Sequence, residues 1–272
     1  MHSYDPVLQV SPLLGDNDPE PFEIVNRHGG CRAVITCDHA SRRIPERLGD
    51  LGLDDTALGQ HIAWDIGCAN VSRRLSELLD APLILGGFSR LVIDLNRHLT
   101  DPSSIPAVSD NVHVPGNANI SHMQANRRTE ELFVPYHNAL AALLGEVHES
   151  KGAPLIIAMH SFTPVFANFE RPWHVGILWN EDDRVSAPLL DCLRQEPGLV
   201  VGDNQPYHAR EPVGYGMDVH AERNRYPHAL IEIRQDLIED DTGAVQWAER
   251  LAKAFTYLLN HCDIYRELEV AS

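Results

Sequence analysis

A three-layer α/β/α sandwich around a mostly parallel mixed sheet is the fold class that this sequence predicts. Short, fully apolar runs recur along it, bounded by Pro, Gly, Asp and Asn, as strands buried on both faces do. Segments of helical spacing alternate with them, which implies βαβ units and a largely parallel sheet between helical layers. A length of 272 residues, 43% hydrophobic and 22% charged, suits one α/β domain with a sizeable core. No repeat, linker or low-complexity tract divides the chain, so residues 1–272 are expected to form a single domain.

Residues 1–30 carry Pro, Gly and Asp without a sustained period and read as an N-terminal surface arm. Arg32 to Cys37 is the first clear strand, running into Asp38-His39. Asp54-Asp55 can start a helix through their side-chain acceptors. Val71, Leu75, Leu78 and Leu79 give helical spacing from Cys68 to Leu79, and Pro82 turns the chain into a strand at Leu83–Leu85. Leu91 to Leu95 reads as a second short strand, and 96–121 as a long loop of the kind that is usually functional. Ser121 to His148 predicts a long helix that Pro135 should kink or split. Leu155 to Met159 is an unbroken apolar run ending at His160-Ser161. Trp173–Trp179, Leu199–Gly202 and Ala229–Arg234 are further strands, the second leading into the loop Asp203–Tyr207. Helices are expected near 185–195, at 217–224 and, amphipathic, at 245–259.

The net charge of −17 argues against a nucleic-acid or anionic-membrane surface, since both need clustered Lys and Arg. No apolar run approaches the roughly 20 residues of a membrane span. The start, M-H-S-Y-D-P, lacks the basic and apolar regions of a signal peptide. Five Cys without a C-x-x-C pair fit reduced thiols in a cytoplasm and disfavour a thiolate zinc site. No Gly-rich phosphate loop follows a strand and no G-x-S-x-G elbow is present, which disfavours nucleotide enzymes and serine hydrolases.

The informative pattern lies at the strand ends, where ligands bind in open α/β sheets. His39, His160 and Asn96-Arg97 each follow a predicted strand, and Glu232 and Arg234 share one face of another by its period of two. Histidines and carboxylates on one sheet edge suit a catalytic zinc, which takes three N or O ligands and keeps one position open. A carboxylate off the metal can then act as general base, and Arg can clamp a substrate carboxylate with two parallel hydrogen bonds. On spacing alone, Arg97 could equally pair with Asp94 or Asp101, and Asp65 could cap the helix that follows it.

Seven runs in order carry a resemblance: T-C-D-H-A-S-R-R-I-P (36–45), H-I-A-W-D-I-G (61–67), S-R-L-V-I-D-L-N-R (89–97), H-S-F-T-P (160–164), R-P-W-H-V-G (171–176), V-G-D-N-Q-P-Y (201–207) and I-E-I-R-Q-D-L (231–237). Together, over roughly residues 30 to 260, they resemble the N-formylglutamate amidohydrolase family, itself similar to the zinc carboxypeptidases and aspartoacylases. The resemblance implies a zinc-exopeptidase-like fold, one divalent metal, Zn2+ by expectation, and a small anionic N-acyl amino acid as substrate. His160 corresponds to the third zinc ligand and Glu232 to the general base. Asn96 and Arg97 match the pair that holds the substrate carboxylate, and Arg90 resembles an oxyanion-stabilising arginine. Arg234 is a further candidate clamp, while Asn204 and Tyr207 lie on the 203–216 loop, which with the 101–120 loop would set acyl specificity.

One departure stands out. The relatives carry H-x-x-E after the first strand, whereas His39 is followed by Ala40, Ser41 and Arg42. Asp65 is the expected substitute, completing a metal set of His39, Asp65 and His160. The competing readings keep this site but change its substrate to another N-acyl amino acid or a peptide C-terminus, or make the chain a non-catalytic anion binder.

Overall fold

The computed structural model describes residues 12–209 and 214–268. The first 11 residues of the predicted arm, and 210–213 of the 203–216 loop, lie outside the described residues. Seven strands form one mixed sheet: β1 (Phe22–Val25), β2 (Ala33–Cys37), β3 (Leu83–Gly86), β4 (Leu155–Phe162), β5 (Val175–Leu178), β6 (Val201–Asp203) and β7 (His228–Arg234), in the order β1-β3-β2-β4-β7-β5-β6. β2, β3, β4 and β7 run parallel, β1 pairs antiparallel with β3, and β5 runs antiparallel to β7. The chain is therefore an α/β protein built on a mixed sheet.

Period-two alternation divides the sheet between two cores. Leu155, Ile157 and Met159 of β4 face a layer made by α1 (Cys68–Leu79), α4 (Ser186–Arg194) and α5 (Asp241–His261). Ile156 faces the opposite layer, built on α3 (Val134–Lys151) through Tyr136, Leu140 and Leu143. Each fully buried Leu or Ile removes apolar surface worth roughly 1.5–3 kcal/mol, so β4 at the sheet centre, buried along its whole length, is the anchor of the fold. His160 continues the Ile156 face, and so it emerges at the carboxyl end of the sheet on the α3 side.

Three sequence expectations need correction. The arm supplies β1, an edge strand of only four residues, whose single alternation of Phe22 and Ile24 is too short to register as a period. Leu91–Leu95 is a buried coil, with no strand assigned there. Its carbonyls are satisfied by side chains: Asn117 Nδ2 donates to Leu91 O and Arg128 Nη1 to Val92 O, each at 2.8 Å. The long helix is divided, though just ahead of Pro135 and not at it. A π-turn at Thr129–Phe133 links α2 (His122–Arg128) to α3 and leaves the proline in the first turn of α3, where its missing N–H costs no bond.

Gly67 joins the Asp65 segment to α1 with φ at +77°, and a Cβ there would sit 2.1 Å from the Ile238 carbonyl oxygen. A Gly67→Ala variant is expected to lose about 2 kcal/mol or more, from left-handed backbone strain plus displacement of that carbonyl. A lowered urea midpoint at unchanged slope would register this loss.

Candidate metal centre and active site

Parallel register sets the first pair. Glu232 of β7 lies directly beside His160 of β4. Ile231 and Ile233 point into the core, so Glu232 points with His160 into the cavity at the strand ends. His39 follows β2, which lies on the other side of β4. Asp65 arrives from the segment before α1; its backbone N–H donates to His39 O at 3.0 Å. The carboxylate is not a helix cap, because Gly67 occupies the N-cap position of α1.

The side chains of His39, Asp65 and His160 are all buried, and one ligand atom from each lies within 4.8 Å of the others. Asp65 Oδ2 is 2.8 Å from His160 Nδ1 and 3.4 Å from His39 Nδ1. The other imidazole nitrogen of His39, Nε2, lies 2.8 Å from Asp94 Oδ1. With Nε2–H donating to that carboxylate, neutral His39 carries a lone pair on Nδ1, as in a carboxylate–histidine–metal arrangement. His39 Nδ1 and Glu232 Oε2 are both buried without a hydrogen-bond partner among the described residues. An orphaned imidazole nitrogen on His39, beside a second imidazole and a carboxylate within 4.8 Å, suits a divalent cation. His39, Asp65 and His160 therefore fit a resident metal.

The electrostatics agree. Burial and Arg90 disfavour charge on His39, yet Asp94 and Asp65 outweigh them and raise its pKa to about 9. His160 is also raised despite burial, through Asp65 and Glu232. Protons on these imidazoles stand in for positive charge that the carboxylates favour, and a cation would displace them. Burial holds the Glu232 carboxyl up at about 7, against the lowering effect of His160.

The cavity above this centre has a volume of about 200 Å³ and is lined by His39, Asp65, His160 and Glu232 together with Arg90, Asn96, Arg97 and Tyr207. Arg90 Nε and Nη2 grip Asp94 Oδ2 at 3.1 and 2.7 Å, while Nη1 lies 3.6 Å from Asp65 Oδ1. One guanidinium thus spans the carboxylate that orients His39 and the one that faces both histidines. Asn96 Nδ2 lies 3.5 Å from His160 Nε2, and its Oδ1 accepts from the Gly216 N–H at 3.1 Å. Arg97 Nη1 donates to Asn96 O at 2.9 Å.

A family model described as N-formylglutamate amidohydrolase matches residues 31–239. The chain belongs to that family. It is similar to gene product Atu2144 from Agrobacterium tumefaciens, at 31% identity and TM-score 0.88, over 91% of this chain and 98% of that one. It shares its fold with the N-formylglutamate amidohydrolase from Ralstonia eutropha JMP134, at 18% identity and TM-score 0.64, over 90% of this chain and 98% of that one. No curated protein matches the sequence.

In this family member two of the sequence candidates stand apart from the cavity lining. Arg234 Nε and Nη2 pair with Asp236 at 2.8 and 3.2 Å, and its Nη1 reaches the Arg171 carbonyl at 3.4 Å. Asn204 Oδ1 accepts from the N–H groups of Trp179 and Ala209 at 3.0 and 3.5 Å, bracing the loop that carries Tyr207. That loop presses so closely on β5 that a Cβ at Gly176 would lie 1.8 Å from Gln205 O. Sequence reasoning passed over Asp94 as a functional residue. Its signal is an acid inside an apolar run, where a charge needs partners.

Behind Asn96 lies a second buried histidine pair. His137 Nε2 donates to Leu95 O at 2.9 Å, so its Nδ1 accepts from His220 Nε2–H at 3.0 Å. Burial holds both neutral, His137 at about 4 and His220 below its usual value. Because the folded pKa is depressed, the unfolded chain binds more protons as pH falls from about 6.5 toward 4. His137 is therefore expected to withdraw about 3 kcal/mol of stability across that window. Melting temperature against pH in wild type and His137→Gln checks this: the variant should lose part of the acid slope.

Among the described residues, no helix is long and apolar enough to cross a membrane.

Proposed function

We propose that this chain is a cytoplasmic, zinc-dependent amidohydrolase that removes the formyl group from N-formylglutamate or a closely similar acidic N-acyl amino acid. The observation that carries the reading is the buried His39–Asp65–His160 set with Glu232 beside it, its Oε2 unpartnered among the described residues. His39 Nδ1, Asp65 and His160 would hold the cation. When bound, such a metal polarises a carbonyl and lowers the pKa of water.

Glu232 has the chemistry of the general base. Its carboxyl near 7 can take a proton from the attacking water and pass it to the leaving amine. Addition of that water to the formyl carbon and cleavage of the C–N bond releases formate and the free amino acid. Arg90 supplies fixed positive charge toward the developing oxyanion. Asn96 and Arg97 bind the α-carboxylate and orient the amide above Glu232.

Formate release from N-formylglutamate, assayed with N-acetylglutamate and a dipeptide in parallel, tests the reading. Activity should vanish on chelation and return with zinc. A chain that stays inactive on N-formylglutamate after loading with zinc, iron, cobalt or manganese in turn would sink it.

A further inference from the structure

Arg171 follows a small hairpin, Val165–Phe166 with Phe169–Glu170, at the edge of the cavity. It is only 6% exposed. Its guanidinium carbon lies 4.8 Å from the ring centres of both Phe166 and Tyr207 and 5.6 Å from that of Phe162. Nη1 donates to Thr163 O at 3.2 Å and to the Tyr207 hydroxyl oxygen at 3.1 Å. Among the described residues no carboxylate stands within ion-pair distance of it. A buried cation held by neutral partners is costly, and it gains when an anion approaches.

The direction of one hydrogen bond then decides the rest. A guanidinium has donors and no acceptor, so the Tyr207 oxygen accepts from Arg171. The hydroxyl proton of Tyr207 is left to point away from Arg171. Tyr207 lines the cavity at its rim, 40% exposed, whereas His39 and His160 lie at the buried floor. Tyr207 therefore meets the outer part of a substrate whose amide faces Glu232, while still within electrostatic reach of Glu232 and Arg90. The positive charge behind the hydroxyl favours an anionic acceptor there.

We propose that Arg171 is a positioning residue that presents the Tyr207 hydroxyl as a donor to the second carboxylate of a dicarboxylic substrate, the one not held by Asn96 and Arg97. This deepens the proposed function and rests on it for the orientation of the substrate.

Binding of glutarate and of butyrate to the metal-loaded protein tests it without turnover. Wild type should bind glutarate at least about tenfold more tightly than butyrate, the scale of one hydrogen bond to a charged group. Tyr207→Phe keeps the ring that stacks on Arg171 and removes only the oxygen, so folding is retained. It should abolish most of that preference and leave butyrate affinity within about twofold, since butyrate offers no second carboxylate. Arg171→Gln should weaken glutarate in the wild-type background and add nothing in the Tyr207→Phe background, because the two act as one unit.

No preference for glutarate in wild type, or an undiminished one in Tyr207→Phe, would overturn the proposal. So would additive losses, which would mean that Arg171 acts independently of Tyr207. Failure of formate release with the glutarate preference intact would instead count against the amidohydrolase reading alone.

Discussion

Replacing Glu232 by Gln is expected to lower kcat for N-formylglutamate by about 10²–10⁴-fold, the usual contribution of a general base. The amide has nearly the carboxylate's shape but cannot accept the proton from water. Glu232 is the register neighbour of His160 rather than a member of the buried three-residue set, so metal content should stay near that of wild type. KM should change little, because Glu232 handles the proton and not the substrate carboxylates. Steady-state kinetics with metal analysis on one preparation reads both. A variant that keeps its metal and loses less than about tenfold in kcat would remove Glu232 from the base role.

The largest loss is expected at Asp65. Its Oδ2 faces both His160 Nδ1 and His39 Nδ1, and its Oδ1 lies near Arg90. The surrounding positive groups hold the carboxyl far below the usual carboxylate range, in spite of burial. An Asp65→Ala variant would remove one of three ligands and leave two histidines and Arg90 uncompensated. Calorimetric titration of zinc into metal-free protein should show at least about a hundredfold weaker binding, the upper end of what even an indirect ligand contact supplies. Formate release should fall to background at stoichiometric zinc. Asp65→Asn, close in shape to the wild type, keeps the packing and removes the charge: without metal it should still unfold in one cooperative transition, at a lowered melting temperature, and still bind zinc poorly. Unchanged zinc affinity in Asp65→Asn would exclude this residue as a ligand.

The strands that place His39, His160 and Glu232 were legible because each is a short apolar run leading into polar residues, and their central place follows from burial on both faces. Asp65 was harder to read. Nothing in its local spacing separates a helix cap from a ligand, and only tertiary placement brings it 2.8 Å from His160, 95 positions away. The coil at 91–95 misled for a related reason. Its apolar side chains look like a strand, yet the groups satisfying its backbone come from Ser104, Asn117 and Arg128. Hydrophobic periodicity reports burial and carries no information on which partner completes a hydrogen bond. Arg234 and Asn204 show the converse. Strand parity and loop position put them near the site, while Asp236 and the Trp179 N–H claim their side chains.

The lateral pairing of His160 with Glu232 also bears on how this family can diversify. The two groups sit on adjacent parallel strands, held at one interstrand spacing and on one face. A single-residue insertion upstream within either strand would turn its polar group into the core layer and bring Met159 or Ile231 into the cavity. Length variation is therefore barred from the two central strands and channelled into the connections around the rim. Changes in the Tyr207 loop and the hairpin before Arg171 leave the His160–Glu232 pairing in place.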